Sequence, residues 1–88
     1  SRSDIPQFKD TLGWVSYKIG KADEAVKLIE DASKKMPDLP VFRYHLGMSY
    51  LAMNNKDAAR KELEKALALG NGKNFLEADQ VKQALKGL

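Results

Sequence analysis

Cysteine is missing from this 88-residue chain. Neither a disulfide framework nor a thiolate metal site can form, and the redox compartment stays open. Long apolar runs are missing too, since nothing approaches the roughly 18 residues that a membrane span requires. No charged segment followed by an apolar one stands at the start. The sequence therefore reads as lacking a signal peptide, with Ser1-Arg2-Ser3 as a cloning remnant on an excised fragment. Histidine and tryptophan occur once each, and there is no nucleotide-binding glycine pattern, so the usual constellations for catalysis are short of members. A chain of this length makes one domain and buries only about 60 % of the surface its unfolded form would expose, which argues against a large enzymatic cleft. The net charge of +3 comes from 15 basic and 12 acidic residues spread along the chain. That balance describes a solvated surface.

What is present is a repeat. A shift of 34 residues superposes Phe8 on Phe42, Leu12-Gly13 on Leu46-Gly47, Asp23 on Asp57, Ala25 on Ala59, Glu30 on Glu64 and Ala32 on Ala66. A fixed period of this length is the mark of stacked supersecondary units. Each unit reads as two helices: Phe8, Leu12, Val15 and Ile19 recur at helical spacing, and Ala25, Ile29, Ala32 and Met36 repeat that rhythm after a break. The breaks carry their own chemistry. Gly20 suits the left-handed residue that ends a helix, and Asn54 occupies the same place in the second unit. Asp23 and Glu24 fall in a first turn and Lys34 and Lys35 in a last turn, where the macrodipole favours each sign. Asp38 is read as the cap of a third helix and Asn55 as the cap of a fourth, which Gly70 and Gly72 end. A fifth helix is predicted from about Asn74. It sets Phe75, Ala78, Val81, Leu85 and Leu88 toward the stack and Glu77, Asp79, Gln80, Gln83 and Lys86 outward.

Leu12, Gly13, Gly20, Ala25, Ala32 and Pro37, with Leu46, Gly47, Tyr50, Ala59 and Ala66, resemble the pattern of the tetratricopeptide repeat. Ser16 departs from it where a tyrosine is usual, and Asn71 stands where a proline would close the second unit. The resemblance implies an all-α, right-handed α-solenoid of antiparallel helix pairs with five helices. One domain spans 1–88, made of repeats at 6–39 and 40–73 and a capping helix at 74–88. The stretch around "DTLGW" is also similar to C-terminal repeats of bacterial members, which implies a fragment of a larger bacterial protein. Apart from the family, the small residues have a mechanical use, because Gly13 with Ala25 and Gly47 with Ala59 would let paired helices approach closely.

Val41, Tyr44, Met48 and Leu51 make a second apolar stripe on the third helix, matched by Gln7, Asp10, Trp14 and Tyr17 on the first and by Phe75, Ala78, Lys82 and Leu85 on the fifth. In tetratricopeptide proteins this face lines a concave groove for peptides. The resemblance therefore implies a groove of Trp14, Tyr17, Tyr44, Met48 and Leu51, with Lys18 and His45 at the rim. The alternative is that these side chains merely pack first helix against first helix, and both readings stand. His45 has no histidine or carboxylate at i±3 or i±4, so it reads as an ordinary side chain at the groove edge. The carboxylate clamp of chaperone-binding relatives is absent, because its positions hold Asp10, Trp14, His45, Phe75 and Asp79. RNA is a weaker alternative, since Lys56, Arg60, Lys61 and Lys65 alternate with Asp57, Glu62 and Glu64 rather than forming a basic stripe.

The reading is thus a non-catalytic protein-interaction scaffold with no cofactor, no metal and no membrane insertion. Its partner is a protein or peptide. Self-association through the groove or an open N-terminal edge is the runner-up, and no compartment is assigned.

Overall fold

The computed structural model describes residues 5–71 and 75–88. Five helices run along them: α1 (Pro6–Lys18), α2 (Ala22–Lys35), α3 (Pro40–Ala52), α4 (Lys56–Gly70) and α5 (Ala78–Lys86). No strand occurs among the described residues.

The starts of α1 and α3 are set by proline. Pro6 and Pro40 take the first helical position, where the missing N–H costs nothing, and the preceding Ile5 and Leu39 are extended, as a residue before proline prefers. That geometry moves the cap position of α3 to Leu39. Asp38, expected to cap it, lies one residue too early, and no side chain caps the helix. Asn55 does cap α4, accepting from the Ala58 N–H at 3.4 Å. The ends of α1 and α3 are alike. Gly20 has φ of 89° and Asn54 has φ of 60°, and the N–H of the next residue reaches back across the turn, from Lys21 to Ser16 at 2.8 Å and from Asn55 to Tyr50 at 2.9 Å. These bonds satisfy carbonyls that a helix end would otherwise orphan.

Because the connections are so short, α1 pairs with α2 and α3 with α4 as antiparallel hairpins. A glycine sits at each crossing. A Cβ on Gly13 would lie 2.4 Å from Ile29 Cγ1, and one on Gly47 would lie 2.7 Å from both Cγ and Cδ2 of Leu63 and 3.3 Å from the Ala59 carbonyl. Each hairpin is also tied by a cation in the same register, Lys9 to Asp31 and Arg43 to Glu62, the latter at 2.9 Å. The Lys9 hydrogen bond holds the Asp31 carboxyl below its usual range.

The hairpins stack through α2 on α3, and α5 closes the far side of α4. One core cluster joins Ala25 and Ile29 to Leu46, with Tyr17, Val26 and Tyr50 packed on it. The second joins Leu63 and Ala66 to Val81, with Tyr44, Met48, Leu51 and Phe75 among its neighbours. The expected start of α5 at Asn74 lies outside the described residues, as does Gly72. The helix itself begins at Ala78. Phe75 is drawn out of helical register because its ring lies over Gly70, where a Cβ would come within 2.5 Å of it.

Two expectations follow. Gly47→Leu should cost about 2 kcal/mol or more, because the crossing must open, whereas Lys61→Ala on the exposed side of α4 should stay within about 0.5 kcal/mol. Equal urea midpoints for the two variants would refute the close crossing. The second concerns Tyr50, whose hydroxyl donates to Glu30 at 2.9 Å across the hairpin boundary. Burial, then that hydrogen bond, pushes the phenol up from 10.0 to about 12. A raised folded value means that the contribution is complete below the unfolded value and is lost as pH climbs through the folded one. The urea midpoint should therefore fall between pH 10 and 12 more steeply in the parent than in Tyr50→Phe.

Candidate peptide-binding groove

On α1, Trp14, Tyr17 and Lys18 stand at i, i+3 and i+4, so their side chains share one face of the helix. The Trp14 ring stacks on Tyr17 with centroids 4.6 Å apart and planes 6° apart. Lys18 Nζ lies 5.5 Å from the Trp14 centroid, within reach of a cation–π attraction.

From α3, His45 stacks on the same tryptophan at 4.0 Å, and Tyr44 meets it tilted at 5.5 Å. His45 does have an ionisable partner: its Nδ1 lies 2.9 Å from both carboxylate oxygens of Asp10. With side chains only 12 % and 8 % exposed, the pair is largely buried. This corrects the placement of His45 at the rim without a partner. The neighbours of a helical residue at i±3 and i±4 cover one helix, and the carboxylate arrives from another. Asp10, missed as a site residue, thereby fixes the imidazole and locks α1 to α3 beneath the aromatic cluster. A buried carboxylate needs such a partner.

Next to Tyr44 the surface turns concave. A hollow of about 620 Å³ is lined by Tyr44 and Met48 of α3 and by Leu76, Asp79, Gln80, Gln83 and Ala84 from the turn before α5 and α5 itself. The α5 residues expected there, Phe75, Ala78, Lys82 and Leu85, are not the ones that line it. Phe75 and Leu85 join the core instead. The turn over Gly70 rotates α5 away from the strict 34-residue register, which brings Asp79 and Gln83 to the hollow. Leu76 is 80 % exposed at its mouth. Glu77, expected to face outward, is partly buried, and its Oε2 makes no hydrogen bond. Burial first, then Tyr17 and lastly Glu77, raises the Tyr44 phenol above its usual range.

Of the seven residues named from sequence, Tyr44 and Met48 line the hollow. Trp14, Tyr17, Lys18 and His45 gather beside it and meet it through Tyr44. Leu51 packs on the second core cluster, to which Tyr44 and Met48 also contribute. The two readings of this stripe are therefore not exclusive: one edge of Tyr44 and Met48 packs inward and the other faces the hollow. Leu76, Gln80, Gln83 and Ala84 went unrecognised, because their placement follows from the turn at Phe75 and not from the repeat. The lining offers one acid, two amides and apolar surface, and no basic side chain. Among the described residues no three His, Asp or Glu side chains gather as a metal site would require. No described helix is long and apolar enough to cross a membrane.

Paired helices stacked into a layered array, with a hollow on the side of the first helices, define an all-α helical-repeat scaffold. A family profile described as "Tetratricopeptide repeat" matches residues 18–85, from the end of α1 into α5, and the chain belongs to the tetratricopeptide repeat family. Comparison with curated proteins and with solved structures gave no match. Domains of this family generally mediate protein–protein interaction and are typically non-catalytic.

The cross-tie generates a prediction. Asp10→Ala leaves His45 Nδ1 without its acceptor in a largely buried place and should cost about 1 to 3 kcal/mol. Trp14, which stacks on that imidazole, should report the change. Urea unfolding followed by tryptophan emission checks both, and an unaltered midpoint with unaltered emission would exclude the tie.

Proposed function

We propose that this chain is a non-catalytic interaction module that takes an apolar or amphipathic peptide segment into the hollow between α3 and α5, next to the Trp14 cluster. One observation carries the reading: Tyr44 and Met48 present apolar surface to an open concavity whose far wall is polar but holds no cation. Aromatic residues and methionine are enriched in interface cores, and a few such anchors carry most of the binding energy. An acidic tail suits the site poorly, because Asp79 would repel it and nothing in the lining would neutralise it. Trp14, Tyr17 and Lys18 extend the same surface along α1, with His45 held beneath Trp14 by Asp10.

The polar surface of α4 supports a protein partner over RNA. Arg60 pairs with Asp57 at 3.8 Å and Lys65 with Glu62 at 3.5 Å, so part of the basic charge is locally matched.

Tyr44→Ala should weaken a bound partner by about 2 kcal/mol, or about 30-fold in Kd, with helicity little changed. Partner binding should also alter the emission of Trp14, whose ring lies 5.5 Å from that of Tyr44. Titration of a partner purified with the protein, read by fluorescence and repeated with the variant, tests this. Unchanged affinity together with unchanged emission would move the site away from the groove.

A further inference from the structure

The outer side of α1 is apolar and open. Its seam residues Phe8 and Leu12 are 39 % and 40 % exposed, while Phe42 and Leu46, in the same register of α3, are 3 % and 2 % exposed where α2 packs on them. That seam is the repeat's own stacking face, seen occupied within this chain. The hollow beside Tyr44 has a different origin, because its α5 wall is set by the turn over Gly70 and departs from the repeat. Asp79 brings a carboxylate to that wall, and Gln80 and Gln83 bring two amides. All three are exposed, and none has a side-chain hydrogen bond or ion pair with another described residue. Lys82 and Lys86, on the same helix, do not line the hollow, and Lys18 stands over Trp14 instead.

Glu77 adds a second carboxylate next to this wall. Its Oε2 is buried without a hydrogen bond, and its charge acts on the phenol of Tyr44, which lines the hollow. The macrodipole accounts for an acid such as Asp79 in the first turn of α5. It does not account for Glu77, which holds the cap position without capping the helix. A buried carboxylate oxygen costs free energy until a donor or a positive charge reaches it. Resting on the reading of the hollow as a peptide site, we propose that it receives an arginine side chain of the bound segment, next to the apolar anchor that Tyr44 and Met48 take. The guanidinium stacks on the Tyr44 ring and donates to the Asp79 carboxylate and to the amide oxygens of Gln80 and Gln83, while its charge offsets that of Glu77. Arginine suits the place better than lysine. A planar, weakly hydrated group reaches acceptors spread along a wall while stacking on an aromatic ring, whereas an ammonium is a compact and strongly hydrated point charge.

Other occupants fit less well. A metal ion would want more ligands than gather here, since no three His, Asp or Glu side chains meet among the described residues. An acidic segment would face two carboxylates and no cation in the lining. A second copy of this chain offers Arg43 and Arg60 among its described residues, and both are already paired, with Glu62 at 2.9 Å and with Asp57 at 3.8 Å.

The test pans a random linear peptide library displayed on phage against the full chain. Enriched peptides are synthesised and titrated by calorimetry against the parent, Tyr44→Ala, Asp79→Asn and Glu77→Gln, with helicity checked by circular dichroism and the mass of the unliganded protein by sedimentation equilibrium. Enriched sequences should carry arginine beside an aliphatic or aromatic residue. Alanine for that arginine should weaken binding at least about tenfold, as for a lost hydrogen bond to a charged group, and lysine should weaken it less. Asp79→Asn and Glu77→Gln should each weaken the arginine peptide and leave its alanine version unchanged. Binders that need Tyr44 but carry no arginine, or whose arginine is indifferent to both acid variants, would overturn the arginine site and leave the peptide groove standing. Equal affinity of the lysine and arginine versions would overturn the choice of guanidinium. An absence of binders, or binders indifferent to Tyr44→Ala, would overturn both readings, and a parent dimer dissolved by Asp79→Asn would replace the peptide with a second copy.

Discussion

The structure rests on how closely the two helices of each hairpin approach at Gly13 and Gly47. With no side chain on the first helix at that point, Ile29 and Leu63 of the second helices enter the space a Cβ would take. Both of these side chains are fully buried, and each reaches a core cluster, Ile29 the one with Leu46 and Leu63 the one with Val81. Burial at that level is worth about 2 kcal/mol per side chain, and filling the crossing would forfeit part of it by forcing the helices apart. The glycine therefore does more than permit contact. It concentrates the hairpin's own packing on one narrow side of α1 and α3 and leaves two other sides of each first helix available.

Those two sides have different chemistry. On the groove side, α1 and α3 are joined by the Asp10–His45 pair, over which Trp14 stacks. A hydrogen bond to a charged group exceeds the worth of an ordinary one, and its directionality sets the spacing of the first helices. The aromatic surface next to the hollow is thereby organised within the monomer, which under the proposed function lowers the ordering cost of binding. On the outer side, α3 is covered by α2 while the matching seam of α1 is open. One sequence pattern thus appears in two states of burial within the same molecule.

Much of this was legible in the sequence, for reasons that can be named. The left-handed ends at Gly20 and Asn54 are local, since few residues adopt that conformation freely. The crossings at Gly13 and Gly47 were legible because the repeat places a glycine and an alanine in the same relation twice. The Asp10–His45 pair was not, because 35 residues separate its members and spacing along one helix says nothing of a partner on another. Asp38 lost the cap of α3 to Leu39 because Pro40 fixes where the helix starts. Glu77 and the register of α5 depend on Phe75 seating over Gly70, a tertiary contact that breaks the period just where the period was used to predict. Periodicity showed that α1 has an apolar outer face, but it cannot tell whether another helix lies on it.

That asymmetry between the first helices is the central claim, and amide hydrogen exchange resolved by residue tests it most directly. Opening free energies differ along a chain according to how much packing must be broken to expose each amide. The amides of Leu46, Gly47 and Ser49 in α3, covered on several sides, should exchange only through global unfolding. Those of Leu12, Gly13 and Val15 in α1 should exchange through a smaller opening, with protection at least about tenfold lower. Equal protection of the two sets in the monomer would contradict the account.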